Sequence, residues 1–576
     1  MYSFNELKKA CKLEVGSKVI KLAVLGNVST QFLSKGIEGF GKLQNLNMQI
    51  FDADYNQIEE QLIDSDSEVY SFKPDYILLF FSTEKLYEEY LAEEKDSRKY
   101  FAGKYLEKIK NCWGYIEKNS DAKILQMNFT EIDDKILGQL SLKVDTTFLY
   151  QIRKLDYLLN EEMEKNSKVY PVDLKSIQID LGRNQFFDSA LYFASKMSIS
   201  INAIPSVSKI VIDVIKSMSG LIKKCLVVDL DNTLWGGVIG DDGVDGIEIG
   251  HYGKGQVFTN LQSWIKELKE YGIIIAVCSK NEENIAKEPF EKNSEMVLKL
   301  NDISIFVANW EDKAQNIKLI KESLNIGYDS IVFLDDNPFE RNLVREKLPD
   351  VEVPDLPEDV ALWRGFLQNK NYFDRISYND DKSDRTKFYQ VEFERKKIEK
   401  SFESIDDYLI SLNMKGSANN FDERFYKRIA ELTERSNQFN LRTIRYKVDD
   451  IEKIAKSSEY ITRYYTLEDK FGDSGLIAVV IMQKIQEGAF IDTFLMSCRV
   501  LKRGMEEFIV NDIVNVAKEK GITKIIGEYI KTPKNAMVRD FYKKMGFDDI
   551  GDDKYELDTE KYKLLKTFIK REKNNY

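Results

Sequence analysis

Residues 224–237 read KCLVVDLDNTLWGG, and this stretch indicates both a fold and a chemistry. The apolar run at 225–228 predicts a short buried strand, and Asp229 and Asp231 follow directly after it. In open α/β sheets, ligands bind outside the carboxyl ends of the strands. Two aspartates there can share a divalent cation, while one attacks phosphorus and the other protonates the leaving oxygen. Taken alone, the stretch also fits a strand followed by an acidic turn.

A second apolar run, GIIIAVC at 272–278, ends in side chains suited to phosphate. Ser279, Lys280 and Asn281 follow it, and a hydroxyl beside the N–H groups of a helix start would hold phosphoryl oxygens. Cys278 immediately precedes them. A neighbouring ammonium group and a helix N-terminus would lower the pKa of this thiol and favour a nucleophilic thiolate. The alternative is an inert buried cysteine, which is common in strands.

Two further apolar runs end in charged residues. IFVA at 305–308 leads into a helical pattern that starts near Lys313, and SIVFL at 330–334 is followed by Asp335 and Asp336. The Lys313 ammonium could offset charge on a pentacoordinate phosphorus and orient the attacking aspartate. The two carboxylates suit Mg²⁺, which prefers carboxylate, phosphate and water oxygens. Each run alone could be a surface charge or a turn, but the four in this order predict a site for phosphoryl transfer.

This order of motifs resembles the haloacid dehalogenase (HAD) superfamily of phosphatases, whose pattern is DxDxT, Ser or Thr, Lys and an acidic pair. The resemblance implies a nucleophile at Asp229 that becomes an aspartyl phosphate, and a general acid and base at Asp231. It implies Mg²⁺ as the cofactor, held by Asp229, the Asp231 carbonyl and Asp335, with Asp336 in support. It also implies that Lys313 assists catalysis. The expected phosphate-binding residues are Thr233, Ser279, Lys280 and Asn281.

A narrower resemblance is to FkbH-type proteins, which load glyceryl units onto carrier proteins. DLDNTLWGGVIGDDG, AVCSKN, NWEDKAQNI and VFLDDNPFER carry it. It implies capture of a phosphoglyceryl group from 1,3-bisphosphoglycerate as a thioester, its dephosphorylation, and transfer to the phosphopantetheine thiol of an acyl carrier protein. It therefore favours an acyl-carrying role for Cys278. Between Thr233 and Ser279 there is no room for a separate cap domain, so we expect an open site that suits a tethered substrate.

The first region, 1–219, alternates predicted strands and helices and resembles an SGNH-hydrolase-type α/β domain. Ser29 falls at the serine position of that fold. The sequence DSAL, which ends at Leu191, has leucine where the usual histidine would stand. We therefore expect a non-catalytic module that docks a partner.

The last region, 369–576, resembles the GNAT acyltransferase fold, with paired strands predicted at 476–482 and 489–496. Its pyrophosphate loop would contain Gly504, but Glu506 brings negative charge to that loop. Phosphopantetheine is therefore a better expected ligand than acetyl-CoA. Upstream of this loop, four residues with hydrogen-bond donors lie close together in the sequence: Arg435, Asn437, Asn440 and Arg442. Their side chains could bind phosphate or a pantetheine arm, or they could form an interdomain hydrogen-bond network. Cys498 is a second candidate thiol.

Composition limits the remaining function classes. The chain has 576 residues and a net charge of −12, which argues against nucleic acid or an anionic membrane as the main partner. Five widely spaced cysteines and no secretory segment predict reduced thiols and a cytoplasmic location. The single histidine, His251, excludes a zinc site built from several histidines.

We therefore predict an α/β enzyme of three domains: an SGNH-like domain at 1–219, a capless HAD-type Rossmannoid parallel sheet at 220–368, and a GNAT-like mixed domain at 369–576. The expected cofactor is Mg²⁺, and the expected partners are an acyl carrier protein and 1,3-bisphosphoglycerate. Two alternatives stay open. One is a plain phosphatase acting on another small or carrier-bound phosphoester, and the other is a scaffold protein of a biosynthetic cluster.

Overall fold

The computed structural model describes residues 2–16, 19–375, 385–399, 402, 404–436, 438–486, 488–497, 500–532 and 534–572. The chain divides into two compact units, Met1–Thr386 and Lys387–Tyr576. The first unit contains two parallel sheets, and the second contains one larger mixed sheet, so the protein is of the α/β class. The further division of the first unit at residue 219 stays a prediction.

The amino-terminal sheet has five parallel strands in the order β2-β1-β3-β4-β5. These strands are β1 (Val19–Gly26), β2 (Asn47–Asp52), β3 (Tyr76–Phe80), β4 (Lys123–Met127) and β5 (Val169–Val172). The helices around them are α1 (Phe4–Ala10), α2 (Gln31–Leu43), α3 (Ile58–Ile63), α4 (Glu68–Phe72), α5 (Thr83–Ala92), α6 (Phe101–Asn119), α7 (Phe148–Lys165), α8 (Leu174–Leu181), α9 (Arg183–Phe186), α10 (Ser189–Ser195) and α11 (Ile204–Met218).

Helices cover both faces of this sheet. Along β1, Leu22 and Val24 belong to one apolar cluster, whereas Ala23 and Leu25 belong to another. Because successive side chains of a strand point to opposite faces, the alternation shows that β1 is buried on both sides. Continuous apolar runs are typical of such parallel strands.

The second sheet of this unit has four parallel strands in the order β8-β7-β6-β9. These are β6 (Cys225–Val228), β7 (Ile274–Ser279), β8 (Ile305–Ala308) and β9 (Ile331–Leu334). Its helices are α12 (Ile239–Gly246), α13 (Gly255–Glu270), α14 (Glu283–Lys292), α15 (Lys313–Leu324), α16 (Pro338–Lys347) and α17 (Trp363–Gln368). All four strands were predicted. Between Thr233 and Ser279, where the structure describes every residue, α12, α13 and β7 account for the chain without an inserted domain.

The second unit is built on an eight-stranded mixed sheet in the order β15-β16-β14-β13-β12-β11-β10-β17. Its strands are β10 (Lys415–Asn419), β11 (Tyr460–Asp469), β12 (Gly472–Ile485), β13 (Gly488–Met496), β14 (Lys524–Glu528), β15 (Asp548–Gly551), β16 (Lys554–Asp558) and β17 (Lys570–Arg571). Its helices are α18 (Arg385–Glu399), α19 (Ile405–Ser411), α20 (Tyr426–Arg435), α21 (Val448–Lys456), α22 (Met505–Glu519) and α23 (Phe541–Lys544).

Strands β13 and β14 are parallel neighbours at only two positions, after which they separate. The segment around Leu441 fills the gap: its N–H donates to the Phe494 carbonyl at 3.1 Å, and its carbonyl accepts from the Ile530 N–H at 2.9 Å.

None of the helices in the described part of the chain combines the length and apolarity needed to cross a bilayer.

Candidate active site

The register of the second sheet brings two of the predicted acidic motifs together. Val228 lies opposite Leu334 in the pairing of β6 with β9, and the Asp229 N–H donates to the Leu334 carbonyl at 2.9 Å. Asp229 and Asp335 therefore leave adjacent strands at the same level of the sheet. Parallel pairing of two buried strands is thus the reason why residues more than a hundred positions apart meet.

Three carboxylates form a cluster at this edge. One oxygen from each of Asp229, Asp335 and Asp336 lies within 4.8 Å of the others. Asp229 and Asp335 are buried, whereas Asp336 is half-buried. Burial, followed by the charge of Asp229, raises the pKa of both Asp335 and Asp336. Hard, closely spaced oxygen donors of this kind fit a divalent cation such as Mg²⁺.

Lys313 is the cation of the site. It begins α15, is 3% exposed, and places its Nζ 2.8 Å from Asp229 Oδ2 and 2.5 Å from Asp335 Oδ2. Burial disfavours the charged form of this lysine, but the two carboxylates outweigh it and raise the pKa of Lys313. The ammonium therefore stays charged and fixes one oxygen of Asp229. The other oxygen, Asp229 Oδ1, is buried and has no hydrogen-bond partner among the residues that the structure describes.

Two side chains support the acidic loop after β9. The Asp336 N–H donates to Thr233 Oγ1 at 3.1 Å, and one Arg341 nitrogen donates to the carbonyls of Asp335 at 2.8 Å and Asp336 at 2.7 Å. Thr233, one of the predicted phosphate-binding residues, is fully buried and holds this loop through its side chain, and its phosphate role stays a prediction. Arg341 lies on α16 and was not singled out from the sequence, although it stands within the VFLDDNPFER segment.

Asp231 follows Asp229 by two residues. Among the described residues, the cluster of three carboxylates does not include the Asp231 side chain. Its Oδ1 accepts hydrogen bonds from the Trp235 indole N–H at 3.0 Å and the Ile239 backbone N–H at 2.9 Å. Its Oδ2 accepts from the Asn281 amide at 2.8 Å. A part in metal binding for the Asp231 carbonyl stays a prediction.

The three predicted phosphate-binding residues at the end of β7, Ser279, Lys280 and Asn281, differ in their burial and in their hydrogen-bond partners. Ser279 is buried at the strand end, and its Oγ accepts from the Asn281 amide at 3.2 Å. Asn281 therefore serves Asp231 and Ser279 through its side chain. Lys280 pairs with the buried Glu340 at 2.5 Å, so its ammonium already has an anionic partner within the protein. Phosphate roles for Ser279, Lys280 and Asn281 stay predictions.

The surroundings of Cys278 differ from those that the sequence predicted. The sequence predicted a lowered pKa and a nucleophilic thiolate, but the residue is fully buried. Burial raises the pKa of this thiol, and the Lys313 charge only partly opposes the effect. The sulfur lies 3.7 Å from the Lys313 carbonyl oxygen, to which it can donate a weak hydrogen bond. The alternative of an inert strand cysteine therefore describes it. Cys11 is half-buried, and Cys498 lies outside the described residues.

Two of the predicted pantetheine-binding side chains of the second unit, Arg442 and Asn440, form internal contacts. Arg442 donates to Glu528 at 2.8 Å and to Asp492 at 3.0 Å, and Asn440 is buried with its amide donating to the Ser436 carbonyl at 3.1 Å. These contacts support the hydrogen-bond-network alternative, here within one unit. Asn437 and the Arg435 side chain lie outside the described residues.

Gly504, which was also assigned to pantetheine, directly precedes α22 with a φ of 74°. This left-handed backbone conformation favours glycine. The same helix start carries Glu506, whose pKa burial raises. A phosphate group would therefore meet a half-buried acidic side chain there, as Glu506 suggested from the sequence.

In the region of the amino-terminal sheet, Asp188 caps the N-terminus of helix α10. Its carboxylate accepts the Leu191 N–H at 3.1 Å at the start of α10. The Ser29 N–H donates to the Lys196 carbonyl at 3.0 Å. Leu191 is thus part of a short helix, the residue after which, Lys196, contacts the loop that follows β1. Docking of a partner by this module stays a prediction.

Comparison with known proteins links this arrangement to characterised structures. A family model described as "FkbH, N-terminal domain" matches residues 21–216. The crystal structure of the N-terminal part of the protein BF1531 from Bacteroides fragilis, which contains a phosphatase domain complexed with Mg, is 45% identical with a TM-score of 0.62. That match covers 66% of this chain and 100% of the other. The comparison with curated proteins gives no match.

Acetyltransferases match a smaller part of the chain. The ribosomal-protein-S18-alanine N-acetyltransferase from Escherichia coli is 11% identical with a TM-score of 0.19, covering 24% of this chain and 88% of its own. A spermidine N-acetyltransferase from Vibrio cholerae, in complex with CoA and spermine, is 13% identical with a TM-score of 0.21, covering 26% and 97%. At these values the likeness assigns no activity to the second unit.

Proposed function

This chain belongs to the family of BF1531 from Bacteroides fragilis, and from that premise we propose that it is a Mg²⁺-dependent phosphatase of the HAD type, acting through an aspartyl phosphate at Asp229. The observation that carries the proposal is the buried group of Asp229, Lys313 and Asp335 beside the half-buried Asp336. This group combines a nucleophile, a fixed cation and two further carboxylates at the carboxyl end of a parallel sheet.

The residues present fit Mg²⁺. Within the described part of the chain, Asp229 Oδ1 is a buried oxygen with no hydrogen-bond partner, and one oxygen each of Asp229, Asp335 and Asp336 lies within 4.8 Å of the others. We propose that these three carboxylates hold the ion. When bound, Mg²⁺ would supply charge neutralisation to the phosphoryl group of the substrate.

The chain's own groups divide the rest of the chemistry. Lys313 fixes Asp229 Oδ2 and offsets the negative charge of the incoming phosphate. An Asp229 oxygen forms the new bond to phosphorus as the bond to the leaving oxygen breaks, and Asp231 gives that oxygen its proton. In the second half of the reaction, Asp231 takes a proton from the water that attacks the aspartyl phosphate. Asp229 and Asp231 follow β6, Ser279 ends the neighbouring parallel strand β7, and the Asn281 amide donates to both Asp231 and Ser279.

The experiment compares the full-length wild type with Asp229→Asn, using p-nitrophenyl phosphate and Mg²⁺. We expect the wild type to hydrolyse the ester, EDTA to stop it, and the variant to lose on the order of 10³-fold or more in kcat, as expected for a nucleophile. Asp245→Asn, an exposed aspartate on α12, is the matched control and should keep full activity. Full activity in Asp229→Asn would refute the proposed nucleophile.

We further propose that the natural phosphoester is a phosphoglyceryl group from 1,3-bisphosphoglycerate, and that the glyceryl group passes to an acyl carrier protein. The FkbH N-terminal domain match and the four FkbH-like sequence segments support this proposal. Because Cys278 is buried, the carrier's phosphopantetheine thiol is the preferred acceptor. Hydrolysis of another small or carrier-bound phosphoester is the alternative.

Intact-mass analysis separates these functions. The protein is incubated with 1,3-bisphosphoglycerate, Mg²⁺ and a pantetheinylated carrier protein, and the carrier is weighed. A glyceryl mass increase supports loading, whereas phosphate release with an unchanged carrier supports the plain phosphatase. If neither loading nor phosphate release is observed, a scaffold protein is the better explanation. Cys278→Ala should load the carrier as fast as the wild type.

A further inference from the structure

The Asp231 carboxylate is held by three donors from three different places in the chain. The Trp235 indole N–H and the Ile239 backbone N–H both reach Oδ1, at 3.0 Å and 2.9 Å. The Asn281 amide reaches Oδ2 at 2.8 Å. The two oxygens are therefore not equivalent. A carboxylate oxygen has about two lone-pair sites for hydrogen bonds, so the donors among the described residues saturate Oδ1 and leave one site on Oδ2.

We propose that Trp235 is a positioning residue for the general acid: by saturating Oδ1 together with the Ile239 N–H, it leaves Oδ2 as the oxygen that carries the catalytic proton. The inference rests on the proposed phosphatase function and adds an atom-level assignment to it. A proton on Oδ1 would displace one of two N–H donors, whereas Oδ2 can hold a proton on its free lone pair.

The surroundings of Trp235 fix the indole in place. Its side chain is fully buried and meets the Phe290 ring edge-on, with ring centres 5.8 Å apart. The preceding carbonyl, that of Leu234, accepts from the Gln262 amide at 2.7 Å. Gly236, the next residue, exchanges two backbone hydrogen bonds with Glu248. Because the backbone on both sides is held, the N–H donor has little freedom to leave Asp231.

The proton step balances with this assignment. As an Asp229 oxygen bonds to phosphorus, the bond from phosphorus to the leaving oxygen breaks, and the proton on Asp231 Oδ2 moves to that oxygen. Asp231 is then a carboxylate with three donors in place. It later takes one proton from the attacking water, again on Oδ2, while phosphate leaves Asp229. No other reactant is required.

The test uses leaving groups that differ in their need for a proton. Full-length wild type and Trp235→Phe are compared with Mg²⁺ on p-nitrophenyl phosphate, whose leaving group departs without protonation, and on glycerol 3-phosphate, whose alkoxide must be protonated. We expect Trp235→Phe to lose about tenfold or more in kcat/KM on the alkyl ester, a part of the 10²–10⁴-fold that general acid catalysis contributes. The loss on p-nitrophenyl phosphate should be below about threefold.

Phe290→Leu is the matched control, because it disturbs the packing of the indole and leaves its hydrogen bond to Asp231. We expect this variant to change both substrates equally. An equal loss on both esters in Trp235→Phe would overturn the inference. A wild type that hydrolyses neither ester would instead refute the proposed function, and the inference with it.

A second measurement covers the case in which Trp235→Phe does not fold. In the ¹⁵N-tryptophan spectrum of the full chain, the Trp235 indole N–H should be protected from hydrogen exchange in the wild type. Asp231→Ala removes its acceptor, so we expect exchange to be at least about tenfold faster, as for a donor that loses its partner. Equal protection in both proteins would overturn the inference.

Discussion

Lys313 is a buried cation whose removal leaves buried carboxylates uncompensated. It is 3% exposed and contacts both Asp229 and Asp335. We expect Lys313→Met to destabilise the protein by about 3–5 kcal/mol in EDTA, the range for breaking a buried ion pair. Because burial and mutual repulsion already raise the pKa of Asp335, removing the ammonium should raise this pKa further. The stability of the variant should therefore increase as the pH falls and the carboxyl groups take up protons.

Urea unfolding with and without Mg²⁺ measures this effect. A divalent cation offers the charge that the missing ammonium supplied, so Mg²⁺ should stabilise Lys313→Met more than the wild type. Lys318→Met, on the exposed face of the same helix, is the control and should unfold like the wild type. A variant as stable as the control in EDTA would contradict the expectation.

Cys278 gives a residue-scale prediction that concerns accessibility. Because the thiol is fully buried and its pKa is raised, iodoacetamide should leave it unmodified in the folded protein. Cys11 is half-buried and serves as the internal comparison. We expect peptide mass spectrometry to find Cys11 modified first, and Cys278 only after urea is added. Equal labelling of the two would contradict the buried position.

Lys313 and Cys278 show which features of the site can be predicted from the sequence and which cannot. Asp229 and Lys313 were found because the apolar runs before them mark where strands end, and strand ends of a parallel sheet converge. The burial of Cys278 could not be found in that way. It depends on which helices cover the strand, and that information lies in residues distant along the chain. The same applies to Thr233 and Lys280, whose partners come from the loop after β9 and from α16.

At the scale of elements, α16 joins the acidic loop to the sheet through Arg341. Its guanidinium holds the carbonyls of Asp335 and Asp336 in one orientation. We expect Arg341→Gln to weaken Mg²⁺ binding about 10–100-fold, the usual effect of losing a group that orients metal ligands. Calorimetric titration of the full-length protein with Mg²⁺ measures it.

The control for this variant lies one turn further along the same helix. Arg345 donates to the Val353 carbonyl at 2.8 Å, on the chain that leaves the sheet. Arg345→Gln should bind Mg²⁺ as the wild type does, even if it is less stable. If both variants bound Mg²⁺ equally well, the orienting role of Arg341 would be wrong.

The elements that the sequence pattern did not indicate have several physical causes. The sequence pattern did not indicate β2, β5, β10, β11, β15, β16 or β17, whereas it indicated every strand of the sheet that carries the candidate site. β2 lies at the edge of its sheet and has mixed burial, so it lacks the continuous apolar run of a central strand. α12 was also missed because its sequence, IGDDGVDG, is rich in glycine and aspartate. Such a composition predicts a loop, and only the surrounding contacts make it helical.

At the scale of the whole molecule, the first compact unit accounts for all of the proposed phosphatase residues. It spans Met1–Thr386 and contains both parallel sheets. The matching structure from Bacteroides fragilis is itself an N-terminal part of its protein, and the match covers 66% of this chain, about the share that the first unit holds. A compact unit with its own core is expected to fold alone.

We therefore expect a fragment of residues 1–386 to fold and to hydrolyse p-nitrophenyl phosphate with Mg²⁺, within about threefold of the full-length rate, as expected for an independent unit. Steady-state kinetics and a thermal melt with and without Mg²⁺ test this. The fragment carrying Asp229→Asn is the control, since it keeps the fold and loses the nucleophile. A folded but inactive wild-type fragment, beside an active full-length chain, would contradict the expectation that the first unit acts alone, since that unit holds every group of the three-carboxylate cluster.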